Sequence, residues 1–187
     1  MKILDMTYLC QWDNPVAPWG TCNVTATAMT LSTLGVVGSN GIHNLPEDLR
    51  VWIEETKGGD RHANEWLKQA IEWKGAKDNF REDWTLNQLI QALADGQPVV
   101  LDTWLSRSGH YIALKGYDAA ARQFVVNDSN GEWFKDGYQE GPYGESLRYS
   151  QQLILSVGLG TDAPLTPDQF PKDPLNASSF CAHVVSR

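Results

Sequence analysis

The chain has 187 residues, 42% of them hydrophobic and 20% charged, which fits one globular domain with a core of its own rather than a disordered segment. Fifteen Lys and Arg against 23 Asp and Glu leave a formal net charge of −8, which disfavours DNA, RNA or an anionic membrane as a partner held by bulk charge. Three cysteines, at 10, 22 and 181, are too few and too scattered for a disulfide framework, although a Cys10–Cys181 bridge stays open.

Residues 1–9 read as a short strand or extended arm, with Ile3, Leu4, Met6, Tyr8 and Leu9 only partly alternating. They contain no apolar stretch long enough for a signal peptide, and no segment approaches the roughly 20 apolar residues of a membrane span. A protein made in the cytoplasm is therefore expected, one that acts outside only if something else releases it. A loop rich in Pro and Gly follows over Gln11–Thr21, and then a run of small and apolar residues from Cys22 to Leu31. Val24, Ala28, Leu31 and Gly35 keep helical spacing, so the run is read as a buried helix with Thr21 as its N-cap. Cys22 then stands in the first turn, where free N–H groups and the helix dipole favour a thiolate. Taken alone, Cys22 fits a nucleophile or a buried core cysteine about equally.

Three amphipathic helices are expected next. Leu45, Leu49, Trp52 and Ile53 mark the first, with Pro46, Glu47 and Asp48 in its opening turn and Gly58-Gly59 after it. Leu67, Ala70, Ile71 and Lys74 mark the second, flanked by Trp66 and Trp73 and closed by Gly75; Leu86, Leu89, Ile90 and Leu93 mark the third, closed by Gly96. The period then changes. Pro98–Leu105, His110–Tyr117 and Gln123–Asp128 read as strands, with a turn at Ser129–Gly131. Gly131–Gly144 reads as an irregular aromatic loop, and Leu147–Leu159 as a last strand or short helix. Residues 161–187 hold four prolines and read as an extended tail without a core of its own, outside a domain of residues 1–160. A helical half before a sheet half is α+β logic, with a cleft between them.

A thiolate needs a base, and the base an orienter. Pairing Leu114 with Phe124 and Ile112 with Val126 sets apolar against apolar and brings His110 opposite Asp128, which can fix the imidazole tautomer. A slip of one residue would offer Asn127 instead. Taken singly, His110 and Asp128 read better as an ordinary strand start and an ordinary turn residue; three suitable types on different elements, with Cys22, weaken that reading. Gln11 is a candidate oxyanion donor beside the Cys22 N–H. Trp12, Trp19, Trp104 and Trp133 are candidates for lining a substrate groove, against core packing as the common use of Trp. No CxxC or HExxH pattern points to a metal, and the chemistry requires no cofactor.

Tyr8-Leu-Cys-Gln11-Trp-Asp-Asn14, Gly20-Thr-Cys22-Asn-Val-Thr-Ala-Thr-Ala-Met29, Gly109-His110, Gly116-Tyr117-Asp118 and Val126-Asn-Asp128-Ser-Asn-Gly131 together resemble the papain-like cysteine peptidases of the double-glycine leader peptidase-like group. The resemblance spans residue 8 to about 155. It implies a papain-like fold with Cys22 as nucleophile, His110 as base, Asp128 as orienter and Gln11 as oxyanion-hole donor. Two departures stand out: Thr21-Cys22-Asn23 where that group often has Asp-Cys-Gly, and Asp128-Ser129 where it often has Asp-Pro. They bear on substrate more than on mechanism. The expected activity is cleavage of a peptide or amide bond through a thioester, with a peptide or protein as substrate. The alternatives are a phage-type lysin or amidase acting on peptidoglycan, and a catalytically silent papain-like binding module.

Overall fold

The computed structural model describes residues 2–134, 137–159 and 163–187. Its centre is a six-stranded antiparallel sheet in the order β1 (Lys77–Trp84), β8 (Phe180–Ser186), β2 (Val99–Thr103), β3 (His110–Asp118), β4 (Gln123–Asn127), β7 (Leu147–Ser150). Helices α1 (Cys22–Ser32), α2 (Leu45–Arg50) and α3 (Asn64–Trp73) cover one face, and α4 (Leu86–Asp95) and α5 (Gln151–Leu159) the other. Side chains alternate across a strand, so the sheet feeds two cores. Val100, Ala113 and Val185 join Val24, Leu31, Leu49 and Leu67 on the α1 face. Val99, Leu101, Ile112 and Leu114 join Leu89 and Ile154 on the other.

The expected helices form where their stripes put them. Leu45, Leu49 and Ile53 are fully buried, and α2 runs on into a π-helical turn over Val51–Thr56. Thr85 caps α4 in a reciprocal box with Gln88, and Gly96 ends it in a left-handed conformation. Leu147–Leu159 is both things at once, β7 followed by α5. Residues 2–9 form no full strand: Ile3 makes one isolated bridge to Gly116, and Leu4 N–H donates to Lys115 O at 2.8 Å.

Three expectations are corrected. Residues 161–187 are not a bare tail, because Phe180–Ser186 is β8, inserted between β1 and β2 with Ala182 and Val185 buried. Four prolines upstream mask a strand whose two faces are both covered. The expected boundary at 160/161 lies outside the described residues. Gly131–Gly144 is not irregular throughout: β5 (Gly131–Phe134) and β6 (Gly137–Glu140) form a separate hairpin. The β3–β4 register also differs from the expected one. Leu114 pairs with Val126 and Tyr117 with Phe124, with a bulge between Leu114 and Gly116. The bulge lies where the N-terminal arm docks. Lys115 O accepts from Leu4, while its buried side chain reaches Met6 O and Ser146 Oγ.

Candidate active site

Cys22 opens α1. Thr21 precedes it but does not cap it, as its hydroxyl donates to Pro18 O at 3.0 Å instead. The loop before the helix is tied down from within. Asn14 Nδ2 donates to Thr21 Oγ1 and Thr25 Oγ1, both at 2.8 Å, and Arg61 Nε donates to Gly20 O at 3.1 Å. The nucleophile candidate therefore sits on a buried helix whose entry loop is pinned from two sides.

His110 begins β3 and is 4% exposed; Asp128, just past β4, has no exposed surface. His110 Nε2 lies 2.7 Å from Asp128 Oδ1. The register that produces this contact is not the expected one. With Leu114 opposite Val126, Asp128 falls two positions from directly opposite His110. A shift of two keeps the face, and the imidazole spans the diagonal. Asn127, the alternative orienter, is buried elsewhere, donating to Met6 O and accepting from Ser146 N–H.

Asp128 is held by more than His110. Tyr138 and Tyr149 hydroxyls donate to Oδ2, both at 3.0 Å, and Asn130 N–H donates to Oδ1 at 3.1 Å. Burial first, and then the carboxylate itself, raises both tyrosine pKa values, so both hydroxyls stay protonated as donors. Gly144 packs so close that a Cβ there would lie 1.7 Å from Asp128 O, which leaves no room for any side chain. The sequence reading missed both tyrosines: Tyr138 lies in the stretch read as loop, and Tyr149 in a segment read as strand or helix.

With Nε2 facing Asp128, Nδ1 is the imidazole nitrogen left for the thiol. Burial opposes charge on either group. The hydrogen bond and charge of His110, helped by backbone contacts from Tyr111 and Asn23, still hold the Cys22 thiol below its ordinary value. Against its own burial, His110 is raised well above the usual imidazole range by Asp128 first and by Cys22 next. Both shifts favour a thiolate–imidazolium pair over the neutral thiol and imidazole. The other cysteines, also free, are not activated: burial raises the Cys10 thiol, and lifts Cys181 to about 12. No Cys10–Cys181 bridge forms, and Cys181 Sγ instead accepts from Asn64 Nδ2 at 3.3 Å.

Gln11 is 3% exposed and faces the same cleft as Cys22. Its Oε1 accepts from Ser129 Oγ at 2.9 Å and its Nε2 donates to Pro18 O at 3.1 Å. Those bonds orient the amide and leave its second N–H hydrogen without a protein acceptor among the described residues. The cleft measures about 580 Å³. Trp12, Trp19 and Trp104 line it, Trp19 being 75% exposed. Trp133 does not line it; its ring packs against the core beneath α4 and α5. Asp102 also lines the cleft, its carboxyl raised to about 6 by burial.

The order of nucleophile helix, base-bearing strand and orienter is that of a papain-like hydrolase, and the family model described as Peptidase_C39 like family matches residues 3–152. The chain belongs to that family. Among solved structures, a double glycine motif protease from an AMS/PCAT transporter, in complex with its leader peptide, is similar over 99% of this chain and 94% of that one, at 12% identity and TM-score 0.54. A Bacillus anthracis protein described as a C39-like peptidase is similar over 100% and 98% of the two chains, at 14% identity and TM-score 0.51. At these identities the likeness is one of fold, papain-like and α+β. A search of curated proteins returned no match to the sequence.

Proposed function

We propose that this family member is a cysteine peptidase that cleaves a peptide bond through a thioester, with Cys22, His110, Asp128 and Gln11 as its catalytic residues. The carrying observation is the buried line from Asp128 to His110 to a thiol whose pKa is held down at a helix N-terminus. The Cys22 thiolate attacks the scissile carbonyl carbon. The oxyanion is met by the Gln11 amide and the Cys22 N–H. His110, already protonated, gives its proton to the leaving amine as the C–N bond breaks and the thioester remains. Water then attacks the thioester while His110 takes its proton, releasing the acid and restoring the ion pair.

A peptide is the favoured substrate. The cleft is lined by aromatic side chains, and the leader peptide bound to the transporter protease is a precedent for a peptide on this fold. The exposed ring of Trp19 on the cleft rim favours one second reading, a glycan-bearing peptide of the cell wall. The deciding assay incubates wild type and Cys22→Ala with a peptide library and with purified peptidoglycan, and reads new amines by mass spectrometry. Cys22-dependent products from peptides support the first reading, and from peptidoglycan alone the second. None from either, with an unreactive Cys22, leaves a silent binding module.

A further inference from the structure

The charges lining the cleft do not balance. Arg61 lines it, but its guanidinium is paired with Glu54 and bonded to Gly20 O. Asp102 and Glu140 line it too, and among the described residues no Lys or Arg pairs with either. Glu140 is exposed, whereas Asp102 is half-buried.

The sheet fixes where Asp102 stands. It pairs directly with Tyr111, two residues along from Val100 and Ala113, which belong to the core under α1. Residues two apart share a face, so the Asp102 carboxylate leaves the apolar core where the cleft begins. Tyr111 follows His110 in β3, and its backbone contacts the Cys22 thiol. Gly109, preceding His110, places no side chain over the carboxylate: a Cβ there would come within 3.8 Å of Asp102 Oδ1. His110 is engaged by Asp128 and Cys22, and His183 by Asp78 and Asn64; His62, which also lines the cleft, is exposed and forms no ion pair with Asp102 among the described residues. A half-buried carboxylate with no Lys or Arg partner, whose nearby cation His110 is already committed to Asp128 and Cys22, is complementary to a cation brought by the ligand.

We propose that Asp102 forms a cation subsite beside Cys22 that reads a Lys or Arg side chain adjacent to the scissile bond of a peptide substrate. The proposal rests on the peptidase reading for its substrate, but the subsite can be measured without turnover. A neutral side chain there leaves the carboxylate unpaired, and an acidic one is repelled.

The test compares wild type, Asp102→Asn and Glu140→Gln on two probe sets. The first is a set of peptides matched except for Arg, citrulline or Glu beside the cleavage site. The second is a pair of thiol reagents, trimethylammonium-ethyl and sulfonato-ethyl methanethiosulfonate, reacting with Cys22. Ratios are taken within one preparation, so the folded fraction cancels. Wild type should prefer Arg over citrulline by about tenfold. Asp102→Asn should bring that preference and the cation-to-anion labelling ratio down together, and Glu140→Gln should move them less. If Asp102→Asn leaves the labelling ratio at the wild-type value, the subsite is overturned, whatever the peptides do. If it lowers every peptide rate equally, Asp102 acts only through the Cys22–His110 pair and the proposal fails. If the labelling ratio falls but no peptide is cut, the subsite stands and the peptidase reading fails.

Discussion

Replacing Asp128 tests the arrangement most directly, and the choice of substitute matters. Asp128 accepts from His110, Asn130 N–H, Tyr138 and Tyr149. Alanine would leave three neutral donors buried without a partner, at about 1–3 kcal/mol each, together comparable with the roughly 5–15 kcal/mol that holds a domain folded. Asparagine keeps an acceptor oxygen and removes the charge, so it separates chemistry from folding. Without the carboxylate, burial dominates His110 and its pKa falls; Cys22 then loses its cation, and its own burial drives the thiol up. The ion pair exists between a depressed thiol pKa and a raised imidazole pKa, so both limbs close inwards. The acid limb of Cys22 alkylation moves to higher pH, and the alkaline limb of turnover, which needs the imidazolium, moves to lower pH, the two limbs belonging to the coupled pair rather than to either residue. Turnover should fall by on the order of 10²–10⁴-fold, the range expected when the orienter of a base is neutralised. The assay is the pH dependence of iodoacetamide labelling followed by mass spectrometry, with melting temperature as the folding control. A folded Asp128→Asn protein with an unchanged profile would refute the proposed role of Asp128.

Three further outcomes follow from the same geometry. Under native conditions near neutral pH, iodoacetamide should label Cys22 far faster than Cys10 or Cys181, whose thiols are raised by burial; equal labelling of all three would remove the activated thiolate. Gln11→Ala should lower kcat by on the order of 100-fold with a smaller change in KM, and an effect confined to KM would make Gln11 a binding residue. Asn127→Ala should lower the melting temperature, since its buried amide bonds Met6 O and Ser146 N–H, while kcat of the folded fraction holds; a kcat loss larger than that of Asp128→Asn would reverse their roles.

The helices were legible because each rests on local pattern. Stripes at Leu86, Leu89 and Leu93 and the run after Cys22 are statements about neighbours three and four residues apart, and the folded chain keeps them. Pairing between strands was less legible. The β3–β4 arithmetic assumed a regular ladder, and the bulge lies where residue 4, over a hundred positions away, makes its contact. The right partner for His110 emerged from the wrong register because the error was an even number of residues, which preserves the face. The tyrosines that clamp Asp128 were illegible for a related reason. Nothing near Tyr138 or Tyr149 marks a hydroxyl whose partner arrives from another strand.

The last strand is the strongest case of this limit, and it changes how the site is understood. β8 enters the sheet between β1 and β2 and carries Cys181 and His183 on the face of Val185, beneath α1. The two nitrogens of His183 engage Asp78 at 2.6 Å and Asn64 at 3.2 Å. The Asn64 carbonyl also accepts from the Tyr111 hydroxyl at 2.8 Å, and the Tyr111 backbone contacts Cys22. A chain of contacts therefore runs from the C-terminal strand to the nucleophile, through residues that do none of the chemistry. Removing residues 180–187 would strip β1 and β2 of their shared partner, leave the buried Asp78 carboxylate without His183, and leave Asn64 bonded to Tyr111 alone. Such a truncation should lose the cooperative thermal transition, as well as activity, in circular dichroism. A truncated protein that melts cooperatively at the full-length temperature would mean that the sheet closes without β8. The match of the family model ends at residue 152, so the part of the sheet that braces the cleft floor lies partly beyond the segment that identifies the family.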